Sequence, residues 1–211
     1  MARRSDHSRE ELHALILSAA REIVAEAGPR ALTARGIATR IGYSAGTLYN
    51  LFDDLDDLIL HLNAITLDAL HDALSAAAVG GDPEKDMKAL SRAYLRFSRD
   101  NRHLWALLFE HRLPEGRPLP DWYRDKIARL LGLVEAVLDP CFAPDRAATK
   151  ARAVRVLWCG VHGICALAEA GKLDVVTSEA VTSLIDDLIA TYLAGIDAAA
   201  SAVSTSAATA R

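Results

Sequence analysis

Between Gly42 and Phe52 stand residues suited to touching a polyanion: Ser44, Ala45, Gly46 and Thr47, then Tyr49 and Asn50. With Ser44 as N-cap, small or hydroxylated side chains fill the first turn of a helix. The free N–H groups and positive dipole end can then approach a phosphate closely. Thr47 can bond a base edge or touch a thymine methyl, and Tyr49 and Asn50 can reach a phosphate or a base. Thr33 and Arg35, at the opening of the preceding helix, are placed for neighbouring phosphates. The plainer reading of 44–47 is a tight contact between two helices, and the spacing around it weighs against that.

Other chemistry finds little support. No Ser/His/Asp order, glycine-rich phosphate loop or isolated carboxylate pair stands out, so catalysis has no handle. His103 and His111 lack metal-site spacing and no HExxH run exists, so neither metal nor cofactor is expected. Cys141, Cys159 and Cys165 show no CxxC spacing, which fits a reducing compartment and buried small hydrophobes. Tyr94, Phe97, Trp105, Phe109, Trp122, Tyr123 and Trp158 each read as core, yet together they suit an apolar cavity for an unidentified small-molecule effector. His162 is either a hydrogen-bond partner for that ligand or a satisfied core histidine.

These residues need elements to position them. The chain has 211 residues, 51% hydrophobic and 25% charged, enough for a buried core without disulfides. Its net charge of −4 is uneven: residues 1–50 carry +2 and the remainder −6, a mildly basic end on an acidic body. The longest apolar run, Val156 to Ala168, contains His162 and falls short of the roughly 18 to 20 residues that cross a bilayer. No membrane span is expected, no secretory signal begins the chain, and a cytoplasmic location follows.

Seven prolines separate long blocks with helical spacing. Ser8 with Glu11 forms a capping box and Gly28-Pro29 a stop, predicting a helix over Arg9 to Ala27. Thr33 caps a second helix ending at Gly42, Ser44 caps a third over Ala45 to Phe52, and Asp53 or Asp54 caps a long fourth. Further helices follow Asp82-Pro83 and Asp100-Asn101, then span about 121–138, 145–170 and 178–199. No strand pattern appears. The fold class is all-α with about nine helices, and 1–8 and 200–211 are expected to lack order.

At this point the sequence resembles the tetracycline-repressor (TetR) family of bacterial transcriptional regulators. The matching residues are Ile16 to Gly28, Leu32-Thr33-Ala34-Arg35-Gly36-Ile37-Ala38, Ile41-Gly42-Tyr43-Ser44, Thr47-Leu48-Tyr49 and Phe52. Trp158, His162 and Gly163 resemble the Trp/His-Gly motif of one C-terminal class of the family. The resemblance implies a helix-turn-helix DNA-binding domain over 9–69, its helix-turn-helix at 32–51, and a ligand-binding, dimerising domain over 82–199. One departure stands out. The turn into helix four usually carries a phosphate-binding Lys, whereas here it reads Asp53-Asp54-Leu55-Asp56-Asp57. Arg3, Arg4, Arg9 or Arg40 would have to compensate.

The last helix carries an apolar stripe too wide for a solvent-facing end. Either it packs within one chain or, with the helix around Val161 and Ile164, it pairs with its copy through Leu184, Leu188 and Tyr192. A homodimer suits two heads reading a pseudo-palindromic double-stranded DNA operator, with half-sites roughly 34 to 36 Å apart. The sequence therefore reads as a ligand-responsive repressor whose fourth helix alone joins head to body. The competing reading is a helical small-molecule binding protein whose head has lost DNA affinity; an enzyme would rest on His162 alone.

Overall fold

Ser8 opens the first helix by a reciprocal cap: its Oγ accepts from the Glu11 N–H at 3.2 Å, and its own N–H donates to Glu11 Oε2 at 2.7 Å. The computed structural model describes residues 7–77 and 80–209, with side chains through 198. In it α1 spans Arg9–Ala27 and stops where Gly28 takes φ 81° and ψ 172°, a conformation that a Cβ disfavours. Then follow α2 (Ala34–Ile41), α3 (Ala45–Leu48), α4 (Leu55–Ser75), α5 (Pro83–Asp100), α6 (Arg102–Glu110), α7 (Asp121–Leu138), α8 (Ala147–Glu169) and α9 (Val181–Thr209). Nine α-helices and no strand occur among the described residues.

The chain divides into two units. The first comprises residues up to Ala69 together with Asn101–Lys126; the second comprises Leu70–Asp100 and the residues from Ile127 onward. Within the first, α1 packs on α2 and α6, and Ile16, Ala20, Val24, Ile37, Leu48 and Leu58 are buried at the centre. Within the second, α8 packs on α5 and α9, burying Leu90, Val154, Leu157, Ile185 and Ile189. A buried carboxylate fixes the start of α5: Asp86 accepts from the Gly80 and Gly81 N–H groups, each at 2.8 Å, which satisfies a charge that would otherwise be costly to enclose.

Several expectations meet a different picture in the structure. The two compact units are not drawn along the expected domains 9–69 and 82–199: α6 and the residues leading into α7 group with the first unit. The fourth helix is not the only continuous link: α4 and α7 each begin in the first unit and end in the second. His7 and Ser8 are placed, Ser8 by its cap, and α9 runs on to Thr209 through Ala-rich sequence that holds no Gly or Pro to stop it. The rest of the expected disordered ends, 1–6 with Arg3 and Arg4, and 210–211, lie outside the described residues. Of the cysteines only Cys165 is buried, and Cys159 is exposed on α8.

Pro144–Glu169 is long and apolar enough by length and composition to cross a membrane, more than the run at Val156 to Ala168 suggested. Its Val154, Leu157, Val161 and Cys165 are buried within the second unit while Arg152 and Arg155 are exposed, the pattern of a helix that packs by one face. Gly160 lets α9 approach: a Cβ there would fall 2.6 Å from Leu188 Cδ2. Gly160→Leu should therefore overpack this contact and cost about 1–3 kcal/mol. Urea unfolding measures it, and an unchanged midpoint would mean that Leu188 swings aside freely.

Candidate nucleic-acid interface

The helix-turn-helix is held by its turns. Thr33 Oγ1 accepts from the Gly36 N–H at 3.0 Å, capping α2. A Cβ at position 36 would meet that same oxygen at 3.0 Å, so a glycine that weakens a helix by about 1 kcal/mol leaves room for a cap of similar worth. At the other end Gly42 is left-handed (φ 75°, ψ 24°), and the Gly42 and Tyr43 N–H groups return to Thr39 O at 3.3 Å and Ala38 O at 2.9 Å. The Tyr43 hydroxyl lies 2.8 Å from His7 Nδ1, tying the turn to the residue just before α1's cap.

α3 is shorter than expected. It ends at Leu48 instead of Phe52, and turns carry the chain to Asp54 so that Phe52 is buried and Asp54 can cap α4. One turn sums few peptide dipoles, which removes most of the electrostatic pull anticipated at its N-terminus. Ser44 holds the N-cap position without capping; its Oγ lies 3.0 Å from Thr47 Oγ1 instead. The expected contact with a phosphate or base would thus fall to side chains. Leu48 is 1% and Phe52 2% exposed, whereas Tyr49 between them is 51% exposed. Thr33, Arg35, Ser44, Gly46 and Asn50 are exposed, and Ala45 and Thr47 half-buried. All eight predicted contacts sit in this one motif of the first unit.

The acidic run is occupied within the protein. Asp54 Oδ1 accepts from the Asp57 N–H at 2.8 Å, and Asp57 Oδ2 from the Asp53 N–H at 3.1 Å, a reciprocal cap on α4. Arg117 Nη1 donates to Asp54 Oδ2 at 2.6 Å, and His111 Nε2 lies 3.4 Å from Asp56 Oδ1. The Asp57 N–H, then Arg117, hold the Asp54 carboxyl below the usual carboxylate range. Arg40, considered as a cation for DNA, is a strut instead: it donates to Glu26 at 2.6 and 3.0 Å and to Glu22 at 3.5 Å, joining α2 to α1.

Sequence reading missed a ring cluster beside the reader. His13 of α1 stacks on Phe52 with centroids 4.7 Å apart; His61 of α4 meets both rings edge-on at 5.5 Å and stacks on Trp122 at 4.9 Å. His13 falls at helical spacing from Ile16, Leu17 and Ala20, the one signal that could have placed it on the buried face.

The predicted ligand residues fall into two groups. Tyr94, Phe97, Trp158 and His162 belong to the second unit, where the Tyr94 hydroxyl lies 2.9 Å from His162 Nδ1 and Trp158 stacks on the imidazole at 5.1 Å and 12°. Burial raises the Tyr94 hydroxyl's pKa and lowers that of His162, so the pair meets as neutral groups near neutral pH. Trp105 and Phe109, 4.6 Å apart, and Trp122 and Tyr123, 5.6 Å apart, belong to the first unit. Of the predicted dimer residues, Ile164, Leu184, Leu188 and Tyr192 are half-buried. Val161, 5% exposed, is packed inside its own chain and is corrected to a core residue.

Burial, then the nearby His61 charge, lowers the His13 pKa, outweighing Asp57. A folded pKa below the unfolded one gives stability that is full above the unfolded value, about 6.5, and lost as pH falls through the folded value. The thermal midpoint should thus drop more steeply from about pH 7 to about pH 5 in the wild type than in His13→Phe; parallel curves would show that another group is responsible.

Comparison with known proteins fits this geometry. The family model described as "Bacterial regulatory proteins, tetR family" matches residues 16–62, which hold the helix-turn-helix. That described as "Tetracyclin repressor-like, C-terminal domain" matches residues 87–192, just over half of the chain, including Trp158, His162 and Gly163. No curated protein matches in sequence. Among solved structures, the candidate regulatory protein SCO4313 is 25% identical, with a TM-score of 0.69 over 88% of this chain and 97% of its own. A possible TetR family regulator from Streptomyces coelicolor A3(2) is 20% identical (TM-score 0.65; 89% and 99% covered). The regulator SCO7222, a TetR from Streptomyces coelicolor, is 19% identical (TM-score 0.63; 91% and 98% covered). The chain belongs to the tetracycline-repressor family of ligand-responsive, DNA-binding transcriptional regulators, which are not enzymes.

Proposed function

We propose that this protein is a homodimeric repressor that binds a pseudo-palindromic operator through Thr33, Arg35, Ser44, Ala45, Gly46, Thr47, Tyr49 and Asn50, and that a small apolar or amphipathic effector releases it. One observation carries the reading: Leu48 and Phe52 are sealed in the core while Tyr49 between them stands out, so the motif presents side chains that serve no packing. The acidic run that favoured a head without DNA affinity is spent on capping α4 and on Arg117 and His111, which removes the motive for that alternative.

A second copy accounts for the outer faces of α8 and α9. Ile185, Ile189 and Leu193 pack within the chain, whereas Leu184, Leu188 and Tyr192 of α9 and Val156, Ile164 and Leu167 of α8 keep apolar surface in reach of a partner. In the second unit Tyr94, Phe97, Trp158 and His162 supply apolar walls and a neutral hydrogen-bonding pair for an effector. An effector preferring the head spacing that misfits DNA would lower operator occupancy by population shift. Such a regulator works where bacterial DNA lies, in the cytoplasm.

Sheared genomic DNA offered to the purified protein, with the retained fragments sequenced, tests the reading; retention of none would end it. Tyr49→Ala should weaken binding to all retained sequences alike, as loss of a phosphate contact does. Thr47→Ala should chiefly relax preference at one position, by about 1–3 kcal/mol if it reads a base edge. Titration of each variant against matched and mismatched duplexes separates the two effects, and identical profiles would discard these roles.

A further inference from the structure

The segment from His111 to Lys126 runs along the first half of α4. Arg117 binds Asp54 at 2.6 Å and His111 stands 3.4 Å from Asp56. Trp122 stacks on His61 at 4.9 Å, and Lys126 Nζ donates to Asp68 Oδ2 at 2.6 Å. Four side chains of one segment thus stand against four side chains of α4 and its cap, all within the first unit. The first of these contacts bears on the reader. Asp54 accepts from both Arg117 and the Asp57 N–H, so the guanidinium helps to hold the carboxylate that starts α4. The connection from α3 to that start is only Tyr49 to Asp54.

From this placement we infer that Arg117 is a positioning residue for DNA recognition: it acts through Asp54 to fix the turn that seats α3, and it touches no DNA itself. The segment that carries it leads directly into α7, whose remaining turns belong to the second unit. Besides α4, the chain thus joins its second unit through α7 to a segment whose Arg117 reaches the start of α4 by an ion pair. The inference rests on the reading of the chain as a DNA-binding regulator, and its test has an arm that needs no DNA.

Arg117→Ala should lower affinity for duplexes retained by the wild type by about tenfold, within the range of a lost charge-assisted hydrogen bond. The slope of log affinity against log salt should stay unchanged, since no phosphate contact is lost. Arg117→Lys should restore most of the affinity. Asp54→Asn, which keeps the acceptor for Asp57 but weakens the pair, should lower affinity similarly, and the double variant should be no worse than either single one. In the free protein, hydrogen exchange of the Asp57 amide should quicken in Arg117→Ala while α8 amides stay protected. Wild-type affinity in Arg117→Ala, a salt slope reduced by about 1, or no rescue by Lys would overturn the inference. Unaltered exchange at 52–57 would overturn it as well. If the wild type retains no DNA but exchange quickens as expected, the regulatory reading fails and the positioning contact stands.

Discussion

A helix of four residues cannot hold itself in water, because nucleation fixes several dihedrals for each hydrogen bond gained. α3 persists only because Leu48 and Phe52 are buried in the first unit's core, and everything the head can do depends on that anchoring. The anchoring also decides which side chains are free. With those two facing inward, Tyr49 and Asn50 have nowhere to go but outward, and Ser44 and Gly46 ahead of them remain open to solvent. The proposed reading surface is the remainder after packing, which is why small and polar residues would suffice there.

The same anchoring explains the density of contacts around Phe52. His13 stacks on the ring, His61 meets it edge-on, and the cap formed by Asp53, Asp54 and Asp57 begins at the very next residue. A short loop must bury an aromatic ring, turn, and open a long helix within Tyr49 to Asp54. Carboxylates at that point do what Ser or Asn does at other caps, and Arg117 stands against their cluster of like charge. The net charge of this stretch therefore misled where its hydrogen bonds did not.

Local rules were legible and distant pairings were not. The bounds of α1, the left-handed Gly42, the Thr33 cap and the span of α7 each follow from residues within a few positions of one another, and the structure has them as read. α3 was overextended because Leu48, Leu51 and Phe52 keep helical spacing through a turn. Arg117 meeting Asp54, or Trp122 meeting His61, joins residues some sixty positions apart, and nothing in either neighbourhood announces its partner. The aromatic residues were pooled for the same reason: composition counts rings without saying that Trp105 and Trp122 belong to one unit and Trp158 to another. Of the site, the motif and its exposed residues came from pattern, whereas what holds them came only from the fold.

An acidic protein that must meet DNA cannot rely on a general field, and here two cations of the first unit are engaged within the protein. Arg40 is bound to Glu22 and Glu26, and Arg117 to Asp54. Among the predicted contacts Arg35 alone carries a full charge, so hydroxyls and amides must supply much of the binding. Such contacts release few counterions and depend on geometry more than on charge. A reader of that kind gains little from being merely near a duplex and loses much when its seat shifts. That sensitivity suits a switch: a small displacement of α4 or of the segment beside it changes binding more than it would for a head held to DNA by a broad basic face.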